Sequence, residues 1–286
     1  SISFWLKRIF MKRSQGERRL FHPSSLEAGR FEEEGYARGF KYVAGLDEVG
    51  RGPWAGPVVA AAVILPREFL VSGFALGTTR SFDGLRIDPE QGRRVETRNS
   101  KLEIKDSKLL TARKREQLAP LIKEKALAWG LGVVGPEEID RINILNASLL
   151  AMAMAFKQIQ PLPDCLLIDG PHKIPLEFLR RVQEVQGVQD VQNDLNDLNG
   201  LKRFERLPFQ RAIKKGDRLS ISIAAASIVA KVARDQMMVE YDRLYPEYGF
   251  GRHKGYGSPA HWTALNRYGP SPIHRRSFRP VRECLG

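Results

Sequence analysis

Three separated acidic motifs carry the residues most able to do chemistry together. They are "GLDEVGRG" with Asp47 and Glu48, "LLIDG" with Asp169, and "KKGD" with Asp217. Asp47 and Asp169 close runs that read as strands, and Asp217 follows a third. In α/β sheets, ligands gather beyond the carboxyl ends of the strands, where such side chains can converge. Three or four carboxylates with no histidine or cysteine beside them suit a hard, oxygen-preferring ion such as Mg²⁺ or Mn²⁺. Without an ion they would repel one another and raise each other's pKa. Taken singly, each acid is better explained as a cap or a turn residue, since Asp-Gly is a common turn. As a set they point to a metal site. Asp47 and Glu48 pose a geometric problem, because neighbours on a flat strand point to opposite faces. Both can line one site only if the strand ends or twists there, and the following glycines permit that.

Gly50-Arg51-Gly52 follows the acid pair directly. A glycine-rich turn after a strand also raises the prospect of a dinucleotide site. The chemistry argues against it: Asp47 and Glu48 would repel a pyrophosphate, and Pro53 and Pro57 deny it a cleanly opening helix.

The elements that must position these residues alternate between strand and helix. "YVAGLD" (42–47) and "PVVAAAVIL" (57–65) read as strands joined by a glycine-proline turn. Residues 66–104 have neither period and read as an inserted surface loop. In "LTARKREQLAPLIKEKALAW", the residues Leu118, Leu121, Ile122, Ala126 and Trp129 share one helical face, and "GLGVV" follows as a short strand. Residues 137–159 place Ile142, Leu145, Leu149, Met152, Phe156 and Ile159 at steps of three and four, which predicts one helix. "CLLIDG" and "FQRAIKKGD" are strands, and "ISIAAASIVAKVARDQMMVEYDRLY" is a helix rich in small residues. Upstream, Ser24-x-x-Glu27 is a capping box that would open a short helix. The alternation predicts an α/β fold with a partly parallel sheet.

Composition narrows the class. The 286 residues hold 46 Lys+Arg against 33 Asp+Glu, a net charge of +13, with 42% hydrophobic residues. That fraction supports a packed core. The charge favours a polyanionic partner, nucleic acid before an anionic membrane surface. Cys165 and Cys284 are the only cysteines. They form neither a disulfide framework nor a zinc cluster, which fits a reducing, cytoplasmic setting. No apolar run approaches the roughly 20 residues of a membrane span. Met11 offers an alternative start, and residues 1–10 are expected to add nothing to function.

The motifs "AGLDEVGRGPWAGPVVAAAVIL", "DSKLL", "EIDRINILNASLLAMAMA", "LLIDG", "KKGDRLSISIAAASIVAKVARDQMM", "YPEYGFGRHKGYGSPAHWTAL" and "GPSPIHRRSF" closely resemble bacterial ribonuclease HII, in family order over most of residues 42–280. The resemblance implies an RNase H-like fold: a mixed central sheet flanked by helices, with a helical C-terminal portion. The catalytic domain would span 41–286, after a partly disordered basic extension at 1–40, with insertions near 66–104 and 177–206. It implies an endonuclease that cuts RNA in RNA–DNA hybrids and at ribonucleotides embedded in duplex DNA, working as a monomer with two Mn²⁺ or Mg²⁺ ions. Motif by motif, Asp47, Glu48, Asp169 and Asp217 would be the catalytic, metal-holding acids. Gly50, Arg51 and Gly52 would read the ribose, with Tyr256 of "KGYG" as aromatic partner. Lys108 and Lys231 are further candidates for phosphate contact, although a solvated lysine explains each equally well. For His253, His261 and His274 a phosphate or structural contact is favoured over metal ligation, and for Asp235 a structural ion pair. The sister family, ribonuclease HIII, differs at the first motif. A hybrid-binding protein that had lost catalysis would lack one of the four acids, and all are present.

Residues 182–200, "VQEVQGVQDVQNDLNDLNG", repeat in threes and carry no amphipathic period that could bury them. Deleting them is expected to leave the thermal midpoint and turnover unchanged. A large fall in either, measured on the deletion variant, would overturn that reading.

Overall fold

The computed structural model describes residues 29–71, 75–76, 102–103, 110–180 and 207–285. The capping pair Ser24–Glu27, the triplet repeat, Lys108 and most of 66–104 lie outside the described residues. The sheet has five strands: β1 (Val43–Val49), β2 (Val58–Ile64), β5 (Ala128–Val134), β6 (Cys165–Asp169) and β7 (Phe209–Ile213). Their order is β5-β2-β1-β6-β7. β1 pairs antiparallel with β2 and parallel with β6, and β6 pairs parallel with β7. Within 66–104 there is a short helix, α2 (Glu68–Val71), and a two-residue ribbon of β3 (Ala75–Leu76) with β4 (Leu102–Glu103).

β2 explains the layering. Its seven residues are all buried and small or β-branched, the pattern of a strand covered on both faces. Successive side chains must therefore serve two cores. Ala60, Ala62 and Ile64 pack with Ala147, Leu150, Ala151 and Phe156 of helix α5 (Ile144–Lys157). Ala61, Val63 and Leu65 face Leu118 and Ile122 of α3 (Ala112–Lys125) and Ala225 and Val229 of α6 (Ile221–Leu244).

α6 lies directly against β1. A Cβ placed on Gly45 would stand 2.1 Å from the backbone carbon of Ser222. Only glycine allows that approach, and it sets the height of the whole helix above the sheet. The helix start is doubly capped. Ser220 accepts from the Ile223 amide, and the buried Glu32 of α1 (Arg30–Ala37) accepts from Ser220 Oγ at 2.6 Å and the Ser222 amide at 2.9 Å. A carboxylate at a helix N-terminus meets unpaired amides and the positive end of the dipole. Residues 30–37, read from sequence as the end of the extension, are thus packed onto the domain. Leu179, within the stretch read as an insertion from 177, is likewise buried in the core. Gly45→Ala is expected to cost about 2 kcal/mol, since the clash is with backbone and the helix must move. A urea midpoint equal to wild type would refute this account of the contact.

Two sequence expectations change. α3 stops at Lys125, because Ala126 turns extended and the Leu127 amide donates to Ile64 O, starting the β5 ladder. Trp129 therefore belongs to β5, opposite Val63, and lies partly exposed under Lys123. The predicted helix over 137–159 is two: α4 (Pro136–Ile142) and α5, broken at Asn143 with φ 68°. Asparagine tolerates positive φ, and its Oδ1 accepts from the Asn146 amide, so one residue ends α4 and caps α5.

Candidate active site

Asp47 lies in β1, which continues to Val49 rather than closing at the acid, and Asp169 ends β6. Leu46 pairs with Ile168 across the parallel ladder, so the next residues along, Asp47 and Asp169, are neighbours. Asp217 sits in a 3₁₀ turn, Gly216–Arg218, just beyond β7, and is buried. The Gly216 amide of that turn donates to Asp169 Oδ1 at 2.6 Å, tying the second and third motifs together.

Burial and mutual repulsion dominate the electrostatics. Asp47 is 6% exposed. Burial, then the charges of Glu48 and Asp169, raise its pKa well above the ordinary carboxylate range, against hydrogen bonds from Ser227 of α6 and from the Glu48 amide. Burial also raises Glu48, with Asp169 adding to it and Arg51 opposing. Asp169 is raised by burial and by Asp217, while the amides of Gly216, Asp217 and Gly170 hold it back. The difficulty of adjacent acids on one strand is resolved in part. Asp47 accepts from Ser227, on the α6 side of the sheet, whereas Glu48 turns to Arg51 Nη1, 3.3 Å away.

The donor set suits a hard divalent ion. It offers carboxylates alone, and burial and mutual repulsion destabilise the charge on Asp47, Glu48 and Asp169, a cost that a cation would offset. As they stand, no three such groups among the described residues are gathered closely enough to hold an ion. Glu48 and Asp169 are occupied instead by Arg51 and the Gly216 amide.

The turn beside the acids is built from behind. Gly50 has φ +97°, and a Cβ there would meet Arg234 Nε at 2.2 Å. Arg234 and Arg275 are fully buried. Arg275 donates to Gly50 O at 2.6 Å, Arg51 O at 3.1 Å and Gly56 O at 2.9 Å. Arg234 donates to Pro57 O, Lys254 O and Ala55 O. Burial, then the charge of Arg234, pushes Arg275 down to about 9, still a cation at neutral pH. Gly52 differs from Gly50: a Cβ there would touch nothing nearer than Tyr256 Cε1, at 3.5 Å. Tyr256 is 45% exposed, so turn and ring share an open surface.

Lys231 is not a free cation, since its Nζ pairs with Asp235 at 2.7 Å, the partner expected to be structural. Lys214 and Lys215 are exposed. His253, His261 and His274 engage backbone and one another inside the C-terminal lobe, residues 245–285, around a small core of Tyr248, Phe250, Ala264 and Ile273. Sequence reasoning missed Arg234 and Arg275. Arg234 carried a signal, because it continues the buried stripe Ala226, Ala230, Arg234, Met238 along α6, where a cation is out of place.

The sequence pattern of ribonuclease HII matches residues 93–281. Ribonuclease HII of Geobacter sulfurreducens is 44% identical over 256 residues, covering 90% of each chain. The chain belongs to the ribonuclease HII family. It is accordingly a ribonuclease H, an endonuclease. Two solved structures share its fold. Ribonuclease H2 from Pyrococcus horikoshii OT3 aligns over 85% of this chain and 97% of its own, with TM-score 0.56 and 24% identity. Bst-RNase HIII, solved in complex with Mn²⁺, aligns over 100% of this chain and 80% of its own, with TM-score 0.56 and 16% identity. In this chain the mixed five-stranded sheet flanked by helices brings acids, turn and tyrosine to one end of β1.

Proposed function

We propose that this ribonuclease HII hydrolyses the RNA strand of RNA–DNA hybrids and cuts 5′ of ribonucleotides embedded in duplex DNA, leaving 3′-hydroxyl and 5′-phosphate ends. Its use would be removal of misplaced ribonucleotides and RNA primers in the cytoplasm. The observation that carries the reading is the juxtaposition at the end of β1: a set of buried and half-buried carboxylates next to an exposed turn whose Gly52 lies beside the ring of Tyr256.

Asp47, Glu48, Asp169 and Asp217 would hold two divalent ions, Mn²⁺ or Mg²⁺, which stabilise the attacking and leaving oxygens in phosphodiester hydrolysis. With ions bound, the four carboxylates would stay ionised and supply the negative charge that holds them. Ser227 and the Gly216 amide orient two of them. Gly52 lets backbone approach a ribose 2′-hydroxyl, the group that separates RNA from DNA. Arg51, half exposed beside Glu48, is placed to meet a phosphate. Tyr256 offers a ring to the sugar and a hydroxyl to its oxygen. The protein would act as a monomer, and its basic surface would hold the duplex. Among the described residues no helix is long and apolar enough to cross a membrane.

The experiment is a duplex carrying one embedded ribonucleotide, incubated with Mn²⁺, with Mg²⁺ and with chelator. Incision 5′ of the ribonucleotide only when an ion is present is the expected result. Metal-independent incision, or equal cutting of the all-DNA duplex, would overturn the reading.

A further inference from the structure

Residues 271–275 stand behind both halves of the proposed sugar-reading surface. Segment 54–56 runs between two stretches of the C-terminal lobe. The Trp54 amide donates to Gly255 O, the Arg275 amide to Trp54 O, and the Gly56 amide to Ile273 O, each at 2.8 Å. From this junction two adjacent side chains diverge. Arg275 reaches the carbonyls of Gly50 and Arg51. His274 turns toward His261, which in turn reaches Tyr256 O.

The direction of the histidine chain follows from its ends. His274 Nδ1 accepts from the Ser271 amide at 2.9 Å, so the ring proton is on Nε2. That atom lies 3.0 Å from His261 Nε2, which must accept. His261 then carries its proton on Nδ1 and donates it to Tyr256 O at 2.9 Å. Burial holds both imidazoles down to about 4, so both are neutral at physiological pH. His253 stacks on His261 at 4.4 Å and is fixed likewise, accepting from the Gly255 amide and donating to Tyr248 O. Buried polar chains of this kind specify one arrangement because every alternative leaves a desolvated group unpaired.

We propose that His274 and Arg275 are positioning residues forming one clasp, Arg275 setting the Gly50–Gly52 turn and His274, through His261, setting Tyr256. Their adjacency in the chain fixes how turn and ring sit beside each other on the surface where the ribose is read. This rests on the assignment of the turn and Tyr256 as the sugar-reading pair.

Two measurements test it. Long-range ¹H–¹⁵N correlation of the imidazoles in the intact protein should give the Nε2–H tautomer for His274 and Nδ1–H for His261; the reverse tautomers would overturn the chain. The second is a double-mutant cycle on the duplex with one ribonucleotide. His261→Gln is expected to lower kcat/KM about tenfold alone and less than about twofold in a Tyr256→Ala background, because it acts through Tyr256. Arg275→Lys keeps the charge and loses the fork; its loss should shrink in the same way in a Gly52→Ala background. Additive losses in these cycles would sink the clasp. If Tyr256→Ala itself cleaves normally, the sugar-reading assignment has failed first. Should His261→Gln unfold, His274→Gln interrupts the same chain one step further from Tyr256 and takes its place.

Discussion

Asp47→Asn is expected to lower cleavage by at least about 1,000-fold while raising the stability of the metal-free protein. The first effect follows if a carboxylate that holds the ions is lost, since charge stabilisation of several kcal/mol goes with it. The second follows from the raised pKa. Asp47 titrates higher folded than unfolded, so between those two values the folded state binds more protons. Stability therefore falls as pH rises through that window, and above it the full cost of the buried charge persists. The amide removes that cost, so the thermal midpoint at neutral pH in chelator should rise by several degrees. Divalent ion should then raise the midpoint of wild type and not of the variant. Duplex affinity, which comes mainly from basic groups on phosphates, should change little. Asp169→Asn should behave alike. A variant that cleaves within a few-fold of wild type, or that is destabilised in chelator, would refute the assignment.

Gly52→Ala is the cleaner test of how the ribose is read. The protein has room for the methyl group, 3.5 Å from Tyr256, and Gly52 is not among the glycines with positive φ. Folding should be unaffected. A substrate backbone approaching the turn would meet the new Cβ, and a displacement near 1 Å at a reacting centre costs about 100-fold. The expected result is an unchanged thermal midpoint with kcat/KM for a single embedded ribonucleotide reduced by about that factor. Gly50→Ala should do the opposite first, because its Cβ collides with Arg234 and its φ is positive. If Gly52→Ala cleaves normally, the turn does not read the sugar through its backbone.

The strands carrying Asp47 and Asp169 were legible because each is a local signal, an apolar run meeting an acid, with a glycine directly after Asp169 and three residues after Asp47. The position of Asp217 in a 3₁₀ turn was not, although "KKGD" marked the place. Periodicity misjudged two joints for a physical reason. A helix broken by one capped asparagine keeps its steps of three and four, and Trp129 fits a helical face as well as an edge strand. Arg234 and Arg275 were hidden differently. Their partners are backbone carbonyls, which have no sequence identity, and Arg275 meets Gly50 across 225 residues. The tyrosine was legible only through its motif; nothing in "KGYG" alone says that it faces Gly52.

The contact between Gly45 and the start of α6 has an evolutionary corollary. That helix is seated on the sheet at one end, sends Ser227 to Asp47, and seven residues later sends Arg234 to the carbonyls of Ala55 and Pro57 behind the turn, about 10 Å along the axis. One inserted residue between them would rotate Arg234 by about 100° away from its carbonyls. The interval from Ser227 to Arg234 should therefore be a fixed ruler among relatives, intolerant of any insertion or deletion, while changes in chain length collect at the stretches following β2 and β6.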